Sequence, residues 1–177
     1  MAFSLFRRRR DPADSLQNAL AEIRSAAFFA PTPWSVARQM LELAQVQPTD
    51  ILYDLGSGDG RIPIMAAQEF GCCAVGIELD EDLRRHAQNQ VKEYGLERQV
   101  RFKGEDFFHS DLREASVVTL YLLSVVNGHL GPRLASQLTK GSRVVCLDYE
   151  VPGWRFLESK AIKSEGDVDY TIYLYRR

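Results

Sequence analysis

The sequence predicts an α/β domain: a doubly wound, mostly parallel seven-stranded sheet with helices on both faces, a C-terminal antiparallel hairpin and an N-terminal helical extension. Three observations lead there. Short apolar runs alternate with amphipathic stretches of roughly 10–15 residues, the pattern of crossover units. The apolar runs are continuous, as strands covered on both faces require. Near the C-terminus the pattern changes to two runs joined by Glu165-Gly166-Asp167, which reads as a hairpin turn.

Each element has a local cause. Asp14 or Ser15 can cap a helix in which Leu16, Leu20 and Ile23 recur at helical spacing. Pro31 and Pro33 break it, because two prolines so close cannot both sit inside a helix. A second helix is expected from Trp34 to Ala44, with Val36, Met40, Leu41 and Ala44 on its apolar face. Strands are expected at Ile51–Leu55, Ala74–Ile77, Val100–Lys103, Val117–Leu123 and Arg143–Leu147, and the hairpin at Arg155–Lys163 and Tyr170–Tyr175. Between them lie helices at Arg61–Phe70 and Asp80–Tyr94, and one ending near Leu138. The organisation is then a basic disordered tail over 1–13, N-terminal helices over 14–48 that close over a ligand, and the sheet domain over 49–177.

Composition narrows the class. The 177 residues suffice for one domain, and 45% hydrophobic with 26% charged residues is a globular balance. Lys and Arg number 22 against 24 Asp and Glu, so a dedicated nucleic-acid binder is disfavoured. No apolar run approaches the ~20 residues of a membrane-spanning helix. Arg7–Arg10 follow rather than precede an apolar stretch, which is not the order of a secretory signal; a solvated tail is favoured over a tether to an anionic surface. Cys72, Cys73 and Cys146 form no disulfide framework or metal-ligand spacing; they read as small buried hydrophobes of a cytoplasmic protein with no metal.

The chemistry concentrates at Asp54-Leu55-Gly56-Ser57-Gly58-Asp59-Gly60, which follows a strand and opens a helix. Glycines let the backbone turn tightly and approach a ligand. Asp54 and Asp59 would repel a pyrophosphate but favour a cationic ligand. Arg61 reads as a structural ion-pair partner of Asp54 or Asp59, or as a contact for a ligand carboxylate. Glu78 ends the next strand, where a carboxylate bonds a ribose diol in dinucleotide folds. After the third strand, Asp106 can accept from an adenine amino group and Phe107 can cover its ring. A ligand with a ribose, a positive centre and no phosphate is S-adenosylmethionine. A nicotinamide or flavin is the alternative, against which the loop lacks the spacing before its final glycine.

From residue 50 to about 148 the motif order resembles class I S-adenosylmethionine-dependent methyltransferases, with Asp54, Gly56, Ser57, Gly58, Glu78 and Asp106 matching the cofactor-lining positions. Pro31-Thr32-Pro33, Asp54 to Ile62, Thr119 to Leu123 with Asn127, and Thr171 to Tyr175 together resemble a narrower group. It comprises the small archaeal broad-specificity protein lysine methyltransferases and their mitochondrial relatives. That resemblance implies an enzyme moving methyl groups to lysine side chains of a protein substrate; a monomer is expected, with Thr32 and Phe107 placed beside the cofactor by their positions before the second helix and after the third strand. The alternatives are a small-molecule or RNA methyltransferase and a non-catalytic cofactor-binding protein. Tyr121 and Asn127 are the catalytic candidates by position, lining the lysine channel, with Asn127 also able to buttress the following turn. The Asn/Asp-Pro-Pro-Tyr/Phe motif of many amino methyltransferases is absent, and no general base stands out.

Overall fold

The computed structural model describes residues 30–177, and Pro31–Arg177 form one compact unit. The arginine run and the helix expected from Asp14 lie outside the described residues. The elements are α1 (Trp34–Leu43), β1 (Ile51–Leu55), α2 (Arg61–Phe70), β2 (Cys73–Ile77), α3 (Glu81–Glu93), β3 (Val100–Lys103), β4 (Val117–Leu120), α4 (Ser124–Gln137), β5 (Arg143–Leu147), β6 (Glu158–Lys163) and β7 (Asp169–Arg176).

The sheet order is β3-β2-β1-β4-β5-β7-β6. Strands β1 to β5 pair in parallel, and β7 runs antiparallel between β5 and β6. The chain winds from β1 outward to β3, then returns to β4 and winds the other way. Because crossovers are right-handed, that reversal sends the helices of the two halves to opposite faces. It also opens a crevice at the carboxyl ends of β1 and β4, where such sheets bind ligands.

Local signals account for most boundaries. Asp80 caps α3, accepting from the N–H groups of Asp82 (2.9 Å) and Leu83 (3.0 Å). Gly71, at φ 72°, closes α2 with its N–H on the Ala67 carbonyl. Helix α1 buries Val36, Ala37, Met40 and Leu41 in the main core, so the second half of segment 14–48 belongs to the domain's own packing.

Three expectations differ from what is observed. β4 ends at Leu120, not Leu123, because Leu122 leaves the sheet to pack on Gly56 and Leu123 starts α4 by accepting from the N–H of Asn127. β6 starts at Glu158, since a turn at Pro152-Gly153 (φ 81° at Gly153) intervenes and Phe156 packs on the Tyr173 and Tyr175 rings instead of pairing. Cys73 is exposed at the amino end of β2, whereas Cys72 and Cys146 are buried.

At the amino end of the sheet a closed polar network ties β1, β4 and β5 to the end of α1. Buried Asp50 pairs with the Arg143 guanidinium and accepts from Ser116 Oγ (2.7 Å) and the Gln47 N–H (2.7 Å). Arg143 also donates to the carbonyls of Ala44 (2.9 Å) and Gln45 (3.0 Å). Every strong charge there has a partner.

Candidate functional site

The carboxyl ends of β1 and β2 carry the glycine loop. Gly56, Gly58 and Gly60 all have positive φ (79°, 54° and 80°), a region other residues enter at a cost. The loop is pinned at both halves. The N–H groups of Gly56 and Ser57 donate to the Ile77 carbonyl (2.9 and 3.0 Å), and the Gly58 N–H donates to Glu78 Oε2 (2.8 Å). Glu78 Oε1 accepts from the Asp80 N–H (2.8 Å), so one carboxylate ties the loop to the start of α3. Beneath it, a Cβ on Gly76 would lie 2.4 Å from the Phe102 ring and 2.6 Å from Ser57 Oγ, so the loop settles only because β2 has no side chain there. Ser57 Oγ is buried without a partner among the described residues, a polar atom prepared for a ligand.

Asp54 stands at the switch point, buried at the end of β1 and opposite Thr119 of β4. Thr119 Oγ1 donates to Asp54 Oδ1 at 2.7 Å. Burial, opposed by that hydrogen bond and reinforced by the charges of Glu78 and Asp59, pushes the Asp54 carboxyl up to about 7. A neighbouring cation would reverse this shift. The nearby basic groups are already engaged: Arg61 with Asp59, Lys103 with Glu105 (3.4 Å), and Arg84 on the Glu78 carbonyl (3.2 Å). This donor set fits a nucleoside that carries positive charge and no phosphate.

Arg61 pairs with Asp59, not with Asp54. Its Nε donates to Asp59 Oδ1 (2.9 Å), Nη2 to Oδ2 (2.5 Å) and Nη1 to the Thr32 carbonyl (2.7 Å), while the guanidinium lies 5.2 Å from the Trp34 ring centroid. The arginine therefore straps buried Thr32 to the glycine loop. The N-terminus of α1 has no side-chain cap of its own; Glu165 of the β6–β7 turn supplies one. The Glu165 carboxylate accepts from the N–H groups of Trp34 (3.2 Å) and Ser35 (3.4 Å) and from the Ser35 hydroxyl, which in turn accepts from the Glu165 N–H (3.2 Å). These bonds hold the Glu165 carboxyl below its ordinary range.

After β3, Asp106 Oδ1 accepts from the Phe108 N–H (2.9 Å) and Oδ2 lies 3.2 Å from His109 Nδ1. Phe107 packs tilted on Phe108, with ring centroids 4.8 Å apart.

Tyr121, Tyr149, Tyr170 and Asp148 gather at the carboxyl ends of β4 and β5. Burial, then the charge of Asp148, then Tyr170 and Tyr149 push the Tyr121 hydroxyl up to about 12, so it stays protonated at neutral pH. Asn127 is fully buried behind this wall. Its Nδ2 donates to the carbonyls of Tyr149 (2.9 Å), Leu122 (3.3 Å) and Glu150 (3.4 Å), lacing the loop after β4 to the loop after β5. These bonds make Asn127 a buttress of the two loops through its Nδ2, while its Oδ1 is buried without a partner among the described residues.

The expected strand-end residues lie at the carboxyl ends of the parallel strands. Asp54, Gly56, Ser57, Gly58 and Glu78 sit together after β1 and β2, Arg61 ties Thr32 to the glycine loop, Asp106 and Phe107 follow β3, and Tyr121 follows β4. Sequence reasoning missed Thr119 as the partner of Asp54, Glu165 as the α1 cap, and Asp148. Of these, only Asp148 had a local signal: an acid directly after the fifth strand.

A family model, the ANTKMT methyltransferase domain, matches residues 54–158. A protein-lysine N-methyltransferase of the archaeon Saccharolobus islandicus is 42% identical over 149 residues, covering 83% of this chain and 91% of that one. The adenine nucleotide translocase lysine N-methyltransferase of Mus musculus is 33% identical over 123 residues; the match spans 67% of this chain and 53% of the mouse protein. Among solved structures, an RNA methyltransferase from Salinibacter ruber in complex with S-adenosyl-L-homocysteine is 46% identical and superposes with a TM-score of 0.77. The superposition covers 83% of this chain and 93% of that one.

Proposed function

The chain belongs to the ANTKMT methyltransferase domain family, and from that membership we propose that it moves methyl groups from S-adenosylmethionine to lysine side chains of protein substrates. The observation that carries the lysine reading is the cluster at the ends of β4 and β5, where Asp148, Tyr149 and Tyr170 lie close enough to Tyr121 to act on its hydroxyl. An aromatic, anionic lining suits a cationic amine and repels a phosphate backbone. The archaeal relative, a protein-lysine N-methyltransferase by name, supports the same reading.

S-adenosylmethionine supplies an electrophilic methyl group on a sulfonium, with a neutral thioether as leaving group. In our reading Asp54, Gly56, Ser57, Gly58, Glu78, Asp106, Phe107 and Thr32 hold it. Asp54 and Glu78 contribute negative charge, the glycines close backbone approach, and the Arg61-held Thr32 strap excludes water. On the acceptor side Tyr121, a neutral phenol, offers its oxygen lone pairs to the amine and does not act as a base. A lysine ammonium, with an ordinary pKa of about 10.4, sheds its proton more readily once it is desolvated beside a positive centre. Alignment then supplies most of the rate. The reading extends to a monomeric, cytoplasmic enzyme, consistent with thiols that burial holds protonated, Cys72 up to about 11 and Cys146 higher.

The Salinibacter relative favours a second reading, methyl transfer to RNA. Labelled S-adenosylmethionine in a cell extract separates the two. Label recovered from protein as methyl-lysine supports the lysine reading; label confined to RNA overturns it. Within the lysine reading, Tyr121→Phe should slow turnover while cofactor affinity stays at the wild-type value.

A further inference from the structure

Asp148 follows the last residue of β5. Strand register sets it at a junction: Leu147 pairs with Ile172 of β7, and the β4–β5 pairing ends at Leu120 opposite Cys146, so Tyr121 leaves its strand alongside. Asp148 has φ 59°, the left-handed region that glycine, asparagine and aspartate enter more readily than other residues, so an asparagine would fit the backbone as well. Its backbone N–H donates to the Thr171 carbonyl (2.7 Å), and its Oδ1 accepts from the Thr171 N–H (2.9 Å). Neither bond needs a charge; an asparagine would make both. The negative charge is therefore left without a structural task. Oδ2 has no hydrogen-bond partner and no cation pairs with Asp148 among the described residues, unlike Asp50, Asp59, Asp111 and Asp167, each of which has its own Arg or Lys.

The surroundings say what such a charge can serve. Tyr121 and Tyr170 are half-buried, Tyr149 is exposed at the rim, and the Asp148 charge is felt at the Tyr121 hydroxyl. Asn127 fixes this rim by holding the Tyr149 and Leu122 carbonyls at once. Leu122 lies on Gly56 of the glycine loop, so the rim adjoins the cofactor side of the crevice. An amine arriving beside a cationic cofactor meets like-charge repulsion, and a carboxylate on the acceptor side offsets it.

We infer that Asp148 is the acceptor-binding anion of this site, its Oδ2 taking the ammonium of an incoming primary amine between Tyr121, Tyr149 and Tyr170. This rests on the lysine reading above. The residue recruits and orients the substrate.

The test is a double-mutant cycle in binding. The full-length wild type and Asp148→Asn, both saturated with S-adenosylhomocysteine, are titrated calorimetrically with a short lysine peptide and with the same peptide carrying norleucine. The wild type is expected to prefer the lysine peptide about tenfold, and Asp148→Asn to lose that preference with an unchanged melting temperature and cofactor affinity. Should Asp148→Asn fold poorly, Asp148→Gly suits the same φ and removes the same charge. A lysine preference retained in the variant, or absent from the wild type, overturns the assignment. Labelling of wild-type acceptors is scored separately: methyl found only in RNA overturns the lysine reading itself, whatever the titration gives.

Discussion

Asp50 directly precedes β1 and Asp54 lies near its carboxyl end, and each is almost wholly buried, at 7% and 4% exposure. At the amino end Asp50 has the Arg143 guanidinium, the Ser116 hydroxyl and the Gln47 N–H. At the carboxyl end Asp54 has one hydroxyl, from Thr119, and the repulsion of Glu78 and Asp59. The first arrangement completes its electrostatics within the fold. The second is left incomplete and can be completed by a ligand's positive charge. One end of the sheet has its charges neutralised within the fold, and the other is the end we propose for the cofactor.

The largest effect should come from breaking the closed end. Asp50→Ala leaves the partly buried Arg143 without its anion, and losing one partner of a buried pair typically costs about 3–5 kcal/mol, of which this site should show the lower end. Urea unfolding measures it directly. Affinity of the folded variant for S-adenosylmethionine should stay unchanged, and a loss of stability below about 1 kcal/mol would erase the distinction between the two ends.

Asp54→Asn should act in the opposite direction on stability. The folded Asp54 binds its proton more tightly than an unfolded one, whose ordinary value is 3.8. The stability this gives is fully present below about pH 4 and is lost as pH rises through about 7. Asparagine still accepts from Thr119 but has no charge to desolvate. The variant should therefore be more stable than wild type at pH 8, with no decline between pH 4 and 7, while binding S-adenosylmethionine more weakly. Melting temperatures across that range, paired with cofactor titrations, read both halves; a variant less stable at pH 8 would contradict the assigned shift.

How far this contrast could be read from sequence depends on the distance between partners. The glycine loop, Glu78 and Asp106 were legible because strand, turn and acid lie within one local pattern. The parallel strands were legible because their apolar runs are continuous. The partners that decide what each acid does are remote: Thr119 is 65 residues from Asp54, Arg143 is 93 from Asp50, and Glu165 is 130 from Ser35. The apolar run Tyr121-Leu122-Leu123 looks like more strand because hydrophobicity does not say which surface it covers; here Leu122 covers Gly56. Asn127 was open to two roles for the same reason, and its buried amide bonds to carbonyls 22 and 23 residues away favour the buttress.

A pH series sharpens the open end without mutation. If the cofactor binds the ionised form of a carboxyl titrating near 7, its affinity should rise about tenfold between pH 6 and pH 8, following the ionised fraction. Asp54→Asn should flatten that slope. A slope that persists in the variant would assign the titration to another group.

Thr119→Val asks for the smallest change and gives the finest discrimination. Valine keeps the shape and strand preference of threonine but removes the hydroxyl that favours the ionised Asp54. The proton is then held more tightly, so cofactor affinity at pH 7 should fall a few-fold and return to the wild-type value as the pH is raised. A packing defect would weaken binding equally at every pH. Recovery at alkaline pH therefore separates a hydroxyl that tunes a proton from one that merely fills space, and only the former explains why a threonine faces an aspartate across two buried strands.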